Sequence, residues 1–214
     1  MLTMKNSKKL VLGLSLGAMV AGVGCGKAAE DAAKSIDEKV TELRLNDQWG
    51  SSCQNSILDL FGLSSQTELY DLGASLTKTT TYYREDNCAQ PVVSVVENGS
   101  YNLGAAQANG GYALDGRIDS TYIVAVNADG QKTLNDLQAC GINDWQVGVP
   151  RDVTAKTSDN PLERCWTKAP RNFYDIVQVS GDQLKFGLNK DGKNKTTPEN
   201  RPLELDQEKI YNRQ

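Results

Sequence analysis

Phe173-Tyr174-Asp175-Ile176-Val177-Gln178-Val179-Ser180-Gly181-Asp182-Gln183-Leu184-Lys185-Phe186-Gly187-Leu188-Asn189 is the stretch that decides the fold. Its first seven residues are apolar on both faces, as in a well-buried strand. Ser180-Gly181-Asp182 then supplies a tight turn. Beyond it Leu184, Phe186 and Leu188 alternate with Lys185, Gly187 and Asn189. A period of two sends one set inward and the other to water. The unit reads as two antiparallel strands joined by a short turn.

The same texture extends in both directions. Asn98-Gly99, Asn109-Gly110, Asp115-Gly116, Asp129-Gly130 and Asp191-Gly192 are dipeptides that tolerate the positive φ of hairpin turns. Strands are expected at 47–53, 67–72, 75–84, 92–103, 111–117, 120–127, 173–179, 183–189 and 203–212. Residues 55–62 are ambiguous, and Ile57-Leu58-Asp59-Leu60-Phe61 fits a short helix. Residues 132–170 hold three prolines, two cysteines and two tryptophans with little periodicity. A helical turn at Lys132 to Ala139 and a long cross-linked excursion are expected there. Eight or nine sequential antiparallel strands make a meander, and closure into an up-and-down barrel removes its edges. A barrel of that size is filled by side chains or holds one small ligand. A β-sandwich is the rival architecture.

The chain contains no histidine. Ser-His-Asp and Cys-His catalysis are therefore excluded, as are zinc sites that use imidazole. Glu85-Asp86 is a carboxylate pair in an apparent turn, where adjacent side chains point into water and not into a shared site. The loop Asn189 to Asn200 has oxygen donors, but lysines fill several positions that a calcium loop needs, so it reads as a solvated hairpin loop. No catalytic residue, metal site or cofactor is expected.

The amino end carries Lys5, Lys8 and Lys9, an apolar run from Leu10, small residues, and then Cys25. The run is too short for a comfortable bilayer span and has the flanks of a signal peptide. Val23-Gly24-Cys25, with Gly22 where leucine is usual, resembles the lipobox of bacterial lipoproteins. That resemblance implies a signal peptide over 1–24, an acylated Cys25 as the first mature residue, and a lipid-tethered protein of the cell envelope. Gly26 in place of aspartate points to the outer membrane, facing the periplasm or the outside. Residues 25–44 are rich in Ala, Glu and Lys and read as a partly helical tether, with the folded domain over 45–214.

Removing the leader takes three lysines from a chain of net charge −4 and leaves a body of −7. An acidic body argues against nucleic acid or anionic lipid headgroups as main partners. Four cysteines remain beyond Cys25, an even number in an exported chain. Of three possible pairings, Cys53–Cys88 with Cys140–Cys165 is favoured, because each closes a local loop.

Asp47-Gln48-Trp49 is similar to the Gly-x-Trp of the first strand of lipocalin-like (calycin) barrels, with aspartate in place of glycine. Arg201 is placed to stack on Trp49, as a late arginine does in that family. The resemblance implies an interior that binds a small apolar or amphipathic molecule. Thr80 and Tyr82, or Thr79, Thr81 and Tyr83, would line it, depending on which face of their strand turns inward. Tyr101 and Tyr122 are further candidate ligand-binding residues. The expectation is a non-enzymatic carrier. The alternative is an envelope module that docks a protein or a cell-wall component through its loops, and a carboxylate-dependent hydrolase ranks third.

Overall fold

A computed structural model describes residues 39–56, 62–157, 165–190 and 193–214. The leader, Cys25, most of the tether, the ambiguous segment at 57–61 and Asp191-Gly192 lie outside the described residues. Among the described residues ten strands form one antiparallel sheet: β1 (Asp47–Ser51), β2 (Gln54–Asn55), β3 (Ser65–Leu72), β4 (Leu76–Tyr83), β5 (Pro91–Ala106), β6 (Tyr112–Ala125), β7 (Arg151–Asp152), β8 (Arg171–Ser180), β9 (Gln183–Gly187) and β10 (Leu205–Arg213). The two-residue ribbons β2 and β7 pair only with β3 and β6. The other eight run in chain order, and β1 pairs with both β10 and β3, which closes the barrel. The meander reading holds and the sandwich does not.

Alternating strand direction puts the connections at 73–75, 107–111 and 181–182 at one end of the barrel. The long connections β1–β3, β4–β5, β6–β8 and β9–β10 lie at the other. A short helix, α1 (residues 39–45), enters at the hairpin end and buries Leu45 completely. Trp49, also fully buried, donates from Nε1 to the Leu45 carbonyl at 2.9 Å. Leu72, Leu76, Tyr112, Leu114, Leu184, Phe186 and Tyr211 pack with them as one core.

The long excursion closes the opposite end. Leu134, Ala139, Cys140, Ile142 and Trp145 pack against Tyr82, Val93, Val95 and Ile123 of the barrel. Its helix, α2 (Ala128–Asp136), starts four residues before the expected turn. The reason is Asn127, whose side chain accepts from the Gly130 N–H and caps the helix. Asp129-Gly130 therefore lies in a helix and not in a hairpin. Gly130 is needed because a Cβ there would sit 2.0 Å from the Val92 carbonyl oxygen. Both disulfides pair as expected, Cys53–Cys88 and Cys140–Cys165, with Cα atoms 5.8 and 4.5 Å apart. Replacing Cys140 and Cys165 together by serine should cost about 3 kcal/mol in denaturant unfolding, since a loop of 25 residues is no longer closed in the unfolded chain.

Two expected turns lie inside strands. Residues 111–117 and 120–127 form one strand, β6, which slips register at Asp119 opposite Asn98-Gly99 of β5. A Cβ at Gly99 would lie 1.8 Å from the Arg117 carbonyl oxygen, so glycine serves a bulge with close backbone approach. Asp115-Gly116 is likewise mid-strand, with the Phe173 ring seated over Gly116. Gly99→Ala should destabilise the barrel by about 1–3 kcal/mol in urea unfolding, because no side chain but only backbone can yield there. Leu203 also departs from expectation: it is 70% exposed and precedes β10, while Leu205 is buried.

Arg201 does not stack on Trp49. Its guanidinium lies 5.7 Å over the Tyr174 ring and donates to the carbonyls of Leu114 and Asp175. Arg213 takes the place over Trp49, at 4.7 Å from the ring, held by Asp47 and Asp182. The register Trp49↔Arg213 explains the exchange: β10 ends beside the first strand, whereas residue 201 precedes β10.

Candidate functional site

The barrel holds a partly open cavity of about 550 Å³. It is built by strand parity. On β3 the inward set is Gln66, Glu68, Tyr70 and Leu72; on β4 it is Leu76, Lys78, Thr80 and Tyr82. β5 brings Glu97 below Val95, and β8 brings Arg171, Phe173 and Asp175. The hairpin-end core supplies the apolar walls Leu76, Leu114, Ile118, Phe186 and the ring of Tyr211. The β9–β10 connection supplies the rim, with Leu188, Asn189 and Lys195.

The loop over 189–200 is thus not simply solvated. Lys195, with φ of +65°, turns back into the barrel and pairs with Asp175 at 2.7 Å. The Tyr174 N–H donates to the Lys195 carbonyl at 2.8 Å and fixes the loop to β8.

Charge is concentrated in this interior. Glu68 receives Lys78 at 3.0 Å on Oε1 and Lys209 at 2.8 Å on Oε2, and Tyr211 donates its hydroxyl to Oε2 as well. Burial by itself would raise the Glu68 carboxyl, but the two ammonium groups outweigh it and hold the group at about 2. Burial pushes the Tyr70 and Tyr211 hydroxyls well above the usual range, the latter helped by Tyr70 and Glu68. Both phenols are neutral, and Tyr211 donates to Glu68. Arg171 pairs with Glu97 at 2.6 Å. Asp175 accepts from the Ile176 and Gly187 N–H groups through Oδ1. Its burial raises the carboxyl, and Lys195 and these donors offset only part of that.

The expected ligand residues are distributed differently. Thr80 and Tyr82 face inward and are buried, so the first of the two alternative faces of β4 is the inner one. Tyr82 packs in the excursion-end core, edge-on to Trp166 at 5.6 Å, and burial moves its hydroxyl up to about 12. Tyr101 donates to the Gly73 carbonyl at 3.1 Å at the hairpin end. Tyr122 is half-buried on the opposite face of β6 from Thr121 and Ile123. None of these four belongs to the cavity wall. The wall residues Glu68, Lys78, Glu97, Arg171, Asp175 and Lys209 were not anticipated, although several share parity with apolar neighbours.

Glu85 and Asp86 are exposed. Among the described residues no group of three or more acids or cysteines is arranged to hold a metal ion, and no helix is long and apolar enough to cross a membrane. No protein-family model matches the chain, and a search of curated proteins returns no match.

Proposed function

We propose that this chain is a lipid-anchored protein of the bacterial envelope whose barrel binds or carries a small amphipathic molecule. The carrying observation is the cavity of about 550 Å³, whose wall is apolar on the hairpin-end side and charged on the side of β3, β4 and β8. That volume falls in the range of small-molecule sites, and the mixed wall suits a ligand with one polar end. The arginine stack on Trp49 supports kinship with lipocalin-like barrels, in which a late arginine covers the first-strand tryptophan. The address rests on the leader and Cys25.

Two measurements test the reading. The full chain carrying Cys25→Ser, which has no acyl group of its own, should bind the neutral apolar dye N-phenylnaphthylamine saturably at one site. Absence of saturable binding contradicts the carrier. Peptide mass spectrometry of protein purified from its native host should find residue 25 as an acylated amino terminus. An unmodified Cys25 contradicts the anchor.

A further inference from the structure

We infer that ligand enters and leaves through the side of the barrel, between β8 and β10, and that residues 193–204 form a strap that lifts to let it pass, latched from outside by Arg201. Such a route rests on the carrier reading and tells how its cavity fills.

Both ends of the barrel are filled. Leu45, Trp49 and Leu72 pack at the hairpin end, and Leu134, Ile142 and Trp145 pack at the excursion end. Among the described residues, none of the excursion or of the connections at 73–75, 107–111 and 181–182 lines the cavity. The side wall, by contrast, has a notch. β9 pairs with β8 only over 177–180. Among the described residues, 171–176 of β8 thus have β6 on one side and no strand on the other. β10 widens the notch, because its register with β9 breaks between Leu205 and Ile210. There Asp206 turns the chain by accepting from the Glu208 and Lys209 N–H groups. Leu188, Asn189, Lys195, Asp206 and Lys209 line the cavity around this notch, and Asn189 is exposed. The cavity therefore reaches solvent at the notch.

The strap spans this notch. On the cavity side Lys195 pairs with Asp175 at 2.7 Å, and the Tyr174 N–H donates to the Lys195 carbonyl at 2.8 Å. On the outer side Arg201 donates from Nη1 to the carbonyls of Leu114 and Asp175 at 3.2 and 2.6 Å. Its Nη2 pairs with Asp115, and its guanidinium covers the Tyr174 ring. At the far end the Leu188 N–H and Asn109 Nδ2 donate to the Glu204 and Leu203 carbonyls at 2.8 and 2.9 Å. Other contacts stay within the strap, such as Lys193 Nζ to the Glu199 carbonyl at 2.7 Å. The ties are polar. Pro202 is buried, but Pro198 is exposed and Leu203 is 70% exposed. A segment that buries little apolar surface opens locally while the barrel stays folded, because water replaces its hydrogen bonds. Arg201 ties the strap to both β6 and β8 and does not belong to the cavity wall. It therefore sets how often the strap lifts without touching the ligand.

The test is stopped-flow binding of N-phenylnaphthylamine to the full chain carrying Cys25→Ser, with and without Arg201→Ala. Loosening the latch should raise the association and dissociation rates together by about tenfold and leave the affinity within about threefold. Unchanged rates, or faster dissociation alone with weaker binding, overturn the strap. Where Arg201→Ala does not fold, hydrogen exchange on the chain with Arg201 intact decides. The Tyr174 amide, bonded to the strap, should exchange about 100-fold faster than the β4 amides paired to β5. A Tyr174 amide as protected as those overturns the side route. In both arms the carrier stands as long as the dye binds saturably. A chain that takes no dye overturns the carrier reading and the route with it.

Discussion

Glu68→Leu will lower the stability of the barrel by about 3 kcal/mol in urea unfolding. The substitution leaves the Lys78 and Lys209 ammonium groups facing each other around an apolar side chain, at side-chain exposures of only 23% and 32%. A protein-like charge-free interior restores what the single change removes, so Glu68→Leu/Lys78→Met/Lys209→Met should recover most of the loss. The same carboxylate sets an acid limb. Its folded pKa of about 2 lies below the ordinary 4.5, so its contribution is fully present above pH 4.5 and is lost as the pH falls towards 2. That shift also corresponds to about 3 kcal/mol. Asp175 works in the opposite sense, because its raised carboxyl relieves a penalty as it protonates. The difference between wild type and Glu68→Leu, followed from pH 7 to pH 2, isolates the Glu68 part and should shrink steadily below pH 4.5.

Trp49→Ala carries the largest packing effect, about 3–5 kcal/mol. The indole is fully buried at the hairpin end, and its loss opens a void among Leu45, Leu72 and Tyr211 that a closed barrel cannot collapse to fill. It also removes the only hydrogen bond described from this side chain, to the Leu45 carbonyl, which ties helix α1 to the barrel. Trp49→Phe should keep part of the packing and lose that tie. Hydrogen exchange at residues 41–46 would then rise in Trp49→Phe while the barrel amides stay protected. Arg213→Ala should cost less, about 0.5–1 kcal/mol, since the guanidinium is one-third exposed.

Much of the architecture was legible in the chain because period-two alternation reports the inward face directly. Leu184, Phe186 and both disulfides are where they were expected, and the run at 173–179 is a strand, though only its centre, Asp175 to Val177, is fully buried. Glycine misled in three places. At Gly99, Gly116 and Gly130 the residue answers close approach by a carbonyl or a ring, which local sequence does not distinguish from the demand of a turn. The expected strand 92–103 already ran through Asn98-Gly99, whereas β6 was divided after Gly116, where the slip at Asp119 lies. The late arginine was misassigned because residue 201 was placed next to the last strand, whereas the stacking position is set by register at the far end of β10.

The site was harder to see, for a physical reason. Charged residues are normally written to the outer face, so Glu68 between Gln66 and Tyr70, and Lys78 between Leu76 and Thr80, look like surface positions. Parity contradicts that, since each shares its face with apolar neighbours. What no local pattern contains is the pairing itself: Glu68 meets Lys78 across a hairpin, but Lys209 and Tyr211 come from more than a hundred residues away, and Lys195 from a loop that looked solvated. The hydroxyl-rich β4 attracted attention for Thr80 and Tyr82, yet it is Lys78 that faces the cavity.

A carrier barrel must hold a ligand in its interior. Native mass spectrometry of the protein extracted gently from its host envelope is the most direct measurement. A single small amphiphile, retained on the intact barrel and released on collisional activation, is the predicted result. Barrels that carry no non-covalent mass, in preparations that still bind neither dye nor amphiphile when it is added back, would contradict it.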